Sequence, residues 1–145
     1  LVTTYLEPYL MENLFLFPVR VYYEDTDAGG VVYHARYLHF FERARTEYLR
    51  TIHFSQQTLL EQKRIAFVVR SMAIEYNIPA KLDDYLTVET KIGALKGATL
   101  IFNQRLIRDE LILSEATVKV ACVDLEKMKP VAIPDEIKAA FSTVS

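Results

Sequence analysis

One segment of the chain has helical periodicity, and it is set among strand-like runs. From about Ala35 to Ile52, placing residues at 100° per position puts Arg36, His39, Arg43, Glu47 and Arg50 on one polar stripe. Tyr37, Leu38, Phe41, Ala44, Tyr48, Leu49 and Ile52 fill a broad opposite arc. That arc is wider than a surface helix needs, so the helix is expected to be buried around much of its circumference. Arg45 falls inside the arc. A charge there must be paired or reach an interface, and Glu42, three residues earlier, is the nearest candidate partner.

Before the helix, Phe15, Phe17, Val19, Val21 and Tyr23 alternate with Leu16, Pro18, Arg20 and Tyr22, which predicts a strand with Pro18 in an early or edge position. After a polar connection from Ser55 to Arg64, four further strands are expected. The first, from about Ala66 to Ile78, puts Val68, Met72, Ile74, Tyr76 and Ile78 on one face. The others place Leu86, Val88, Thr90 and Ile92, then Leu100, Phe102, Gln104 and Leu106, then Ala116, Val118, Val120 and Cys122 together. Leu95-Lys96-Gly97 and Arg108-Asp109-Glu110 read as hairpin turns, which makes the sheet antiparallel. Pro134 opens a short terminal helix. The expected class is α+β: a five-stranded antiparallel sheet curled around one long central helix.

At 145 residues and 51% hydrophobic, the chain has enough material for one core. A formal net charge of −2 excludes a whole-protein basic footprint for nucleic acid. The single cysteine, Cys122, rules out an intrachain disulfide, fits a reducing compartment and reads as a small core residue. No apolar run reaches the ~20 residues of a membrane span, and the N-terminal stretch lacks the features of a signal peptide. The expected location is therefore cytoplasmic. Residues 1–13 are expected to be an extension, residues 1–10 an upstream addition that need not be native, and residues 14–145 a single domain.

The segment Tyr22-Tyr23-Glu24-Asp25-Thr26-Asp27-Ala28-Gly29-Gly30-Val31-Val32-Tyr33-His34 ends where the helix begins. It places Asp27 a few residues before exposed helix N–H groups that carry partial positive charge. Such a pair can run acyl transfer, with a carboxylate as nucleophile or base and amides holding the oxyanion. Simple helix capping by Asp or Thr is the competing reading. A calcium loop is excluded, because counting from Asp25 puts Gly29 at a ligand position and Arg36 where a glutamate is needed. His34 and His39 have the wrong spacing for a zinc pair on one helical face.

Tyr23 through Asp27, Gly30 through His34, Tyr37 and the run Phe41-Glu42-Arg43-Ala44-Arg45 together resemble the hotdog-fold thioesterases of the 4-hydroxybenzoyl-CoA thioesterase superfamily. Within it they are most similar to the YbgC-type acyl-CoA thioesterases encoded near bacterial Tol–Pal systems. The resemblance spans roughly residues 14 to 142. It implies that Asp27 is the catalytic carboxylate and that the backbone amide of His34 polarises the thioester carbonyl, with Gly30, Tyr33 and Ala35 beside the substrate. It implies catalysis without a metal or other cofactor, coenzyme A being part of the substrate. It also implies homodimers, often paired into tetramers, with active sites at the subunit interface.

A thioester needs no Ser-His-Asp triad. Asp27 can attack the carbonyl to form a mixed anhydride, or activate water. An ordinary Asp, with a pKa of about 3.9, is a weak base, which favours attack. A backbone oxyanion donor is worth about 3 kcal/mol in the transition state. The His34 side chain can orient Asp27, serve the leaving thiolate or simply pack. Asp25 reads as structural, and Glu42 as the partner of Arg45. Lys63, Arg64, Arg70, Lys96 and Arg108 are scattered cations, none singled out for coenzyme A phosphates. Related hotdog functions are dehydratases, against which the Asp27 motif weighs, and acyl-carrier-protein thioesterases. The alternative of another class is an acyl-CoA- or acyl-carrier-protein-binding scaffold subunit for envelope or lipid-synthesis partners.

Overall fold

The computed structural model describes residues 8–11 and 14–144. The first seven positions of the expected extension, positions 12–13 and the last residue of the expected domain lie outside the described residues. In chain order the elements are β1 (Tyr9–Met11), β2 (Leu14–Arg20), a 3₁₀ turn (Tyr23–Asp25) and α1 (His34–Thr51). Then come α2 (Gln56–Thr58), which runs into a π-helical turn (Leu59–Lys63), β3 (Ile65–Tyr76), β4 (Tyr85–Lys96) and β5 (Thr99–Arg108). The chain ends with β6 (Leu111–Asp124), β7 (Lys129–Pro130) and α3 (Asp135–Val144).

The strands form one antiparallel sheet in the order β1-β2-β4-β5-β6-β3, with β7 on β6. Its five long strands, β2 to β6, are the five expected, and the fold is the curled sheet with a central helix that the motif implied. β1 lies in the segment set ahead of the domain, and it pairs with β2. The connection through α1 carries the chain from β2 near one edge of the sheet to β3 at the other. A helix crossing a sheet must bury the face beneath it, and α1 buries Tyr37, Phe40, Phe41, Ala44, Arg45, Tyr48 and Leu49. Leu86 and Val88 of β4, Leu100, Phe102 and Leu106 of β5, and Val118 and Val120 of β6 form the apposed floor. The period-2 faces predicted for these three strands are the buried ones.

Four details depart from the sequence reading. Tyr23 leaves the first strand's apolar face and is 82% exposed, because the chain curls into the 3₁₀ turn as Asp25 Oδ2 accepts the Tyr22 N–H (2.9 Å). Leu38 is exposed, and Phe40 takes its place in the core. The Ser55–Arg64 connection is helical: Ser55 Oγ accepts the Thr58 N–H (3.0 Å), and Leu59 is fully buried. Val68 is exposed because β3 bulges between Val69 and Ser71, which breaks its alternation.

Arg45 lies in the interior as its place on the helix requires, but Glu42 is not its hydrogen-bonded partner. Arg45 Nη1 donates to Gln104 Oε1 (2.9 Å), and Gln104 Nε2 donates to the Phe41 carbonyl (3.0 Å) and to Thr90 Oγ1 (2.9 Å). Burial lowers the guanidinium pKa, and the field of Glu42 partly offsets that. Glu42 is exposed, and its carboxylate accepts from the Thr46 hydroxyl.

Candidate active site

The segment before α1 is a closed turn built around Asp27. The Asp27 carbonyl accepts the Gly30 N–H (3.0 Å), and the Asp27 N–H donates to the Val31 carbonyl (2.9 Å). The Asp27 carboxylate reaches back into the same turn. Its Oδ1 accepts from Gly29 N–H (2.8 Å) and Val31 N–H (3.3 Å). Oδ2 has no partner among the described residues, and the side chain is exposed. Gly30 has φ +77°, a conformation that favours glycine. Its N–H and its carbonyl are both spent, the latter on the Leu82 N–H (3.0 Å), so Gly30 shapes the turn rather than offering a donor.

The turn is docked on the loop between β3 and β4. Val32 N–H donates to the Ala80 carbonyl (2.9 Å), and Val31 bridges Lys81. The same loop is tied to α1, because the Tyr37 hydroxyl accepts the Ala80 N–H (2.9 Å). Burial raises the Tyr37 pKa, with the Ala80 hydrogen bond opposing it, which keeps the hydroxyl protonated at neutral pH. Asp84 stiffens the loop from below by accepting the Lys81 N–H (2.8 Å) and pairing with Arg108 (2.7 Å).

The two aspartates of the motif have different partners. Asp25 is 6% exposed. Its Oδ2 holds the Tyr22 N–H and its Oδ1 lies 3.4 Å from Arg36 Nε, in the first turn of α1. Its carbonyl accepts the Tyr33 N–H (3.1 Å). Asp25 is thus a structural brace, as the sequence suggested, and Arg36, expected only on a solvated stripe, is the other half of it. Tyr33 is the N-cap of α1 but makes no side-chain capping bond, so capping by Asp or Thr does not occur at this helix. The next two amides, of His34 and Ala35, have no acceptor among the described residues, whereas Arg36 N–H bonds the Tyr33 carbonyl (3.0 Å). The entrance of α1 therefore presents two adjacent unspent donors with the positive end of the helix behind them.

The His34 imidazole is packed rather than free. It stacks on the Tyr76 ring at 4.0 Å between centroids and 15° between planes, with Tyr37 edge-on at 6.2 Å. The Tyr76 hydroxyl donates to the His34 carbonyl (3.3 Å). Periodicity set Tyr76 on a strand face with Val68, and no local signal tied it to a helix start 42 positions away.

Of the scattered cations, Lys63 pairs with Glu136 and Arg108 with Asp84, so neither forms a cluster with the turn. Among the described residues no group of three His, Cys, Asp or Glu is placed to hold a metal ion. No helix among them is long and apolar enough to cross a membrane.

The model of the thioesterase-like superfamily matches residues 21–141. The chain is 71% identical over 132 residues to an acyl-CoA thioesterase YbgC of Haemophilus influenzae, covering 91% of this chain and 97% of that one. It is 59% identical to an acyl-CoA thioester hydrolase YbgC of Escherichia coli, covering 89% and 96%. Among solved structures, a probable thioesterase from Bartonella henselae superposes with a TM-score of 0.79 at 42% identity, over 83% of this chain and 99% of that one.

Proposed function

The chain belongs to the thioesterase-like superfamily and is a thioester hydrolase, and we propose that it cleaves acyl-CoA with Asp27 as the acting carboxylate. The single observation that carries this reading is a half-satisfied, exposed carboxylate in the turn that leads into α1, a helix whose first two amides are unspent among the described residues. Asp27 Oδ2 attacks the thioester carbon. The carbonyl oxygen becomes an oxyanion that accepts from the His34 and Ala35 N–H groups. Collapse expels the thiolate and leaves a mixed anhydride, which water cleaves to free acid and regenerated Asp27. Activation of water by Asp27 is the variant of this route that uses the same atoms. Neither route needs a metal, and chelator treatment should leave turnover unchanged.

The site is also proposed to be completed by a second copy. Asp27, Gly29, Tyr33, His34 and Ala35 are all exposed, which leaves a thioester open to solvent. Among the described residues β3 pairs only with β6 and offers a free edge, with Val68 41% and Val69 51% exposed. Such an edge invites strand pairing with a second copy. The assembly proposed is a homodimer or tetramer. The location proposed is the cytoplasm, where Cys122, buried and unpaired, stays reduced.

The test is release of free thiol from a panel of acyl-CoA and acyl-carrier-protein thioesters. Turnover of acyl-CoA that Asp27→Asn abolishes is the expected result. Tight binding of the panel with no thiol release would mark a binding or scaffold subunit instead.

A further inference from the structure

We propose that Tyr76 is a positioning residue for the thioester site, acting through His34; this inference rests on the function proposed above. Tyr76 ends β3, across the sheet from Ser114, and reaches the first residue of α1 in two ways. Its ring lies almost parallel to the His34 imidazole at 4.0 Å, and its hydroxyl donates to the His34 carbonyl. Tyr37 closes the group, edge-on to Tyr76 at 5.0 Å and tied by its hydroxyl to Ala80.

The first turn of α1 is tied down beyond His34, through Arg36 to Asp25 and through Tyr37 to Ala80, and less firmly at its start. Its N-cap residue makes no side-chain bond, and the amides of His34 and Ala35 are unspent. An uncapped first turn frays, which swings those amides away from any fixed oxyanion position. Tyr76 grips both the side chain and the carbonyl of the residue whose amide has to stay aimed. Donors contribute to catalysis only if they are already oriented when the charge develops. The role therefore falls on kcat. Tyr76 does not bond the substrate oxygen, and its half-exposed ring is not a core strut on which folding depends.

The test compares Tyr76→Phe, which keeps the ring, with Tyr76→Leu, which removes it, in the full-length protein. Melting temperature, kcat and KM for acyl-CoA, and the NMR shifts of the His34 ring protons are measured. Tyr76→Leu should lower kcat about tenfold or more with KM within about twofold and a near-native melting temperature. It should also erase the ring-current displacement of the His34 signals. Tyr76→Phe should keep that displacement and most of kcat. The double variant His34→Ala with Tyr76→Leu should be no slower than the slower single one, because the pair acts as a unit. Three outcomes would overturn the proposal: kcat within twofold of the parent in folded Tyr76→Leu, a change confined to KM, or single effects that multiply in the double variant. Should Tyr76→Leu not fold, the double variant Tyr76→Phe with His34→Ala, which removes both holds, takes its place: a tenfold loss of kcat supports the proposal, and kcat within twofold of the parent overturns it. Asp27→Asn, run alongside, separates the two readings. If it is inactive while Tyr76→Leu is normal, only the positioning role fails; if it is fully active, the assigned site fails.

Discussion

The two ends of α1 follow opposite rules. From Phe41 onward one face of the helix is interior: Phe41, Ala44, Tyr48 and Leu49 are buried, and even the Arg45 guanidinium is met by Gln104. At the entrance, His34 and Ala35 are exposed, two amides have no acceptor among the described residues, and the N-cap side chain makes no capping bond. A capping Ser, Thr, Asp or Asn would contribute about 1 kcal/mol there. On the proposed function, one helix separates stability from chemistry by a few turns. The inner half holds the fold together, and the outer end leaves polar groups unsatisfied where a developing charge can use them.

Substitutions that probe this division should scale accordingly. Arg45→Ala should cost about 3 kcal/mol in chemical denaturation, from the cavity and the orphaned Gln104 carbonyl together. A loss below 1 kcal/mol would mean that the inner half is not what stabilises the helix. Tyr48 gives the next effect. Its hydroxyl is buried without a partner among the described residues, and burial pushes its pKa up to about 12. The unfolded chain loses this proton near pH 10 and the folded chain only near 12, so stability is full below 10 and falls between the two. The loss is about 3 kcal/mol at two pKa units. Tyr48→Phe should flatten that alkaline fall in unfolding curves taken at each pH. Gly30→Ala should cost about 1–2 kcal/mol by forcing a side chain into positive φ, visible as a lowered melting temperature. Tyr33→Asp tests the comparison in the opposite direction. A new cap should stabilise the fold by about 1 kcal/mol while reducing kcat tenfold or more, because its carboxylate competes for the entrance amides. A variant both more stable and fully active would break the link between unspent donors and chemistry.

What was legible in the sequence follows the same division. Leu86, Val88, Leu100, Phe102 and Leu106 declared their strands because each packs under α1, so alternation and burial coincide. β3 is an edge with a bulge, and there the alternation misassigned Val68. The inward angle of Arg45 could be computed from helix geometry. Its partner could not, since Gln104 is neutral and lies 59 positions away. The motif around Asp27 was specific enough to suggest the family, and Asp25 read as structural, but the exposure of Asp27 was not legible in it. The contacts that fix the entrance, Tyr76 on His34 and Tyr37 on Ala80, join segments distant in sequence, and no local pattern encodes them.

The central claim is that Asp25 serves the fold and Asp27 the reaction, and a paired measurement on Asp25→Asn and Asp27→Asn tests it most directly. Melting and thiol release from acyl-CoA are followed for both. Asn at position 27 can still accept the Gly29 and Val31 amides, so stability should stay within about 0.5 kcal/mol while turnover falls by two orders of magnitude or more. Asn at position 25 loses the charge that faces Arg36, so the fold should weaken by about 1–3 kcal/mol while the folded fraction keeps turning over. Near-normal turnover by natively folded Asp27→Asn would contradict the account.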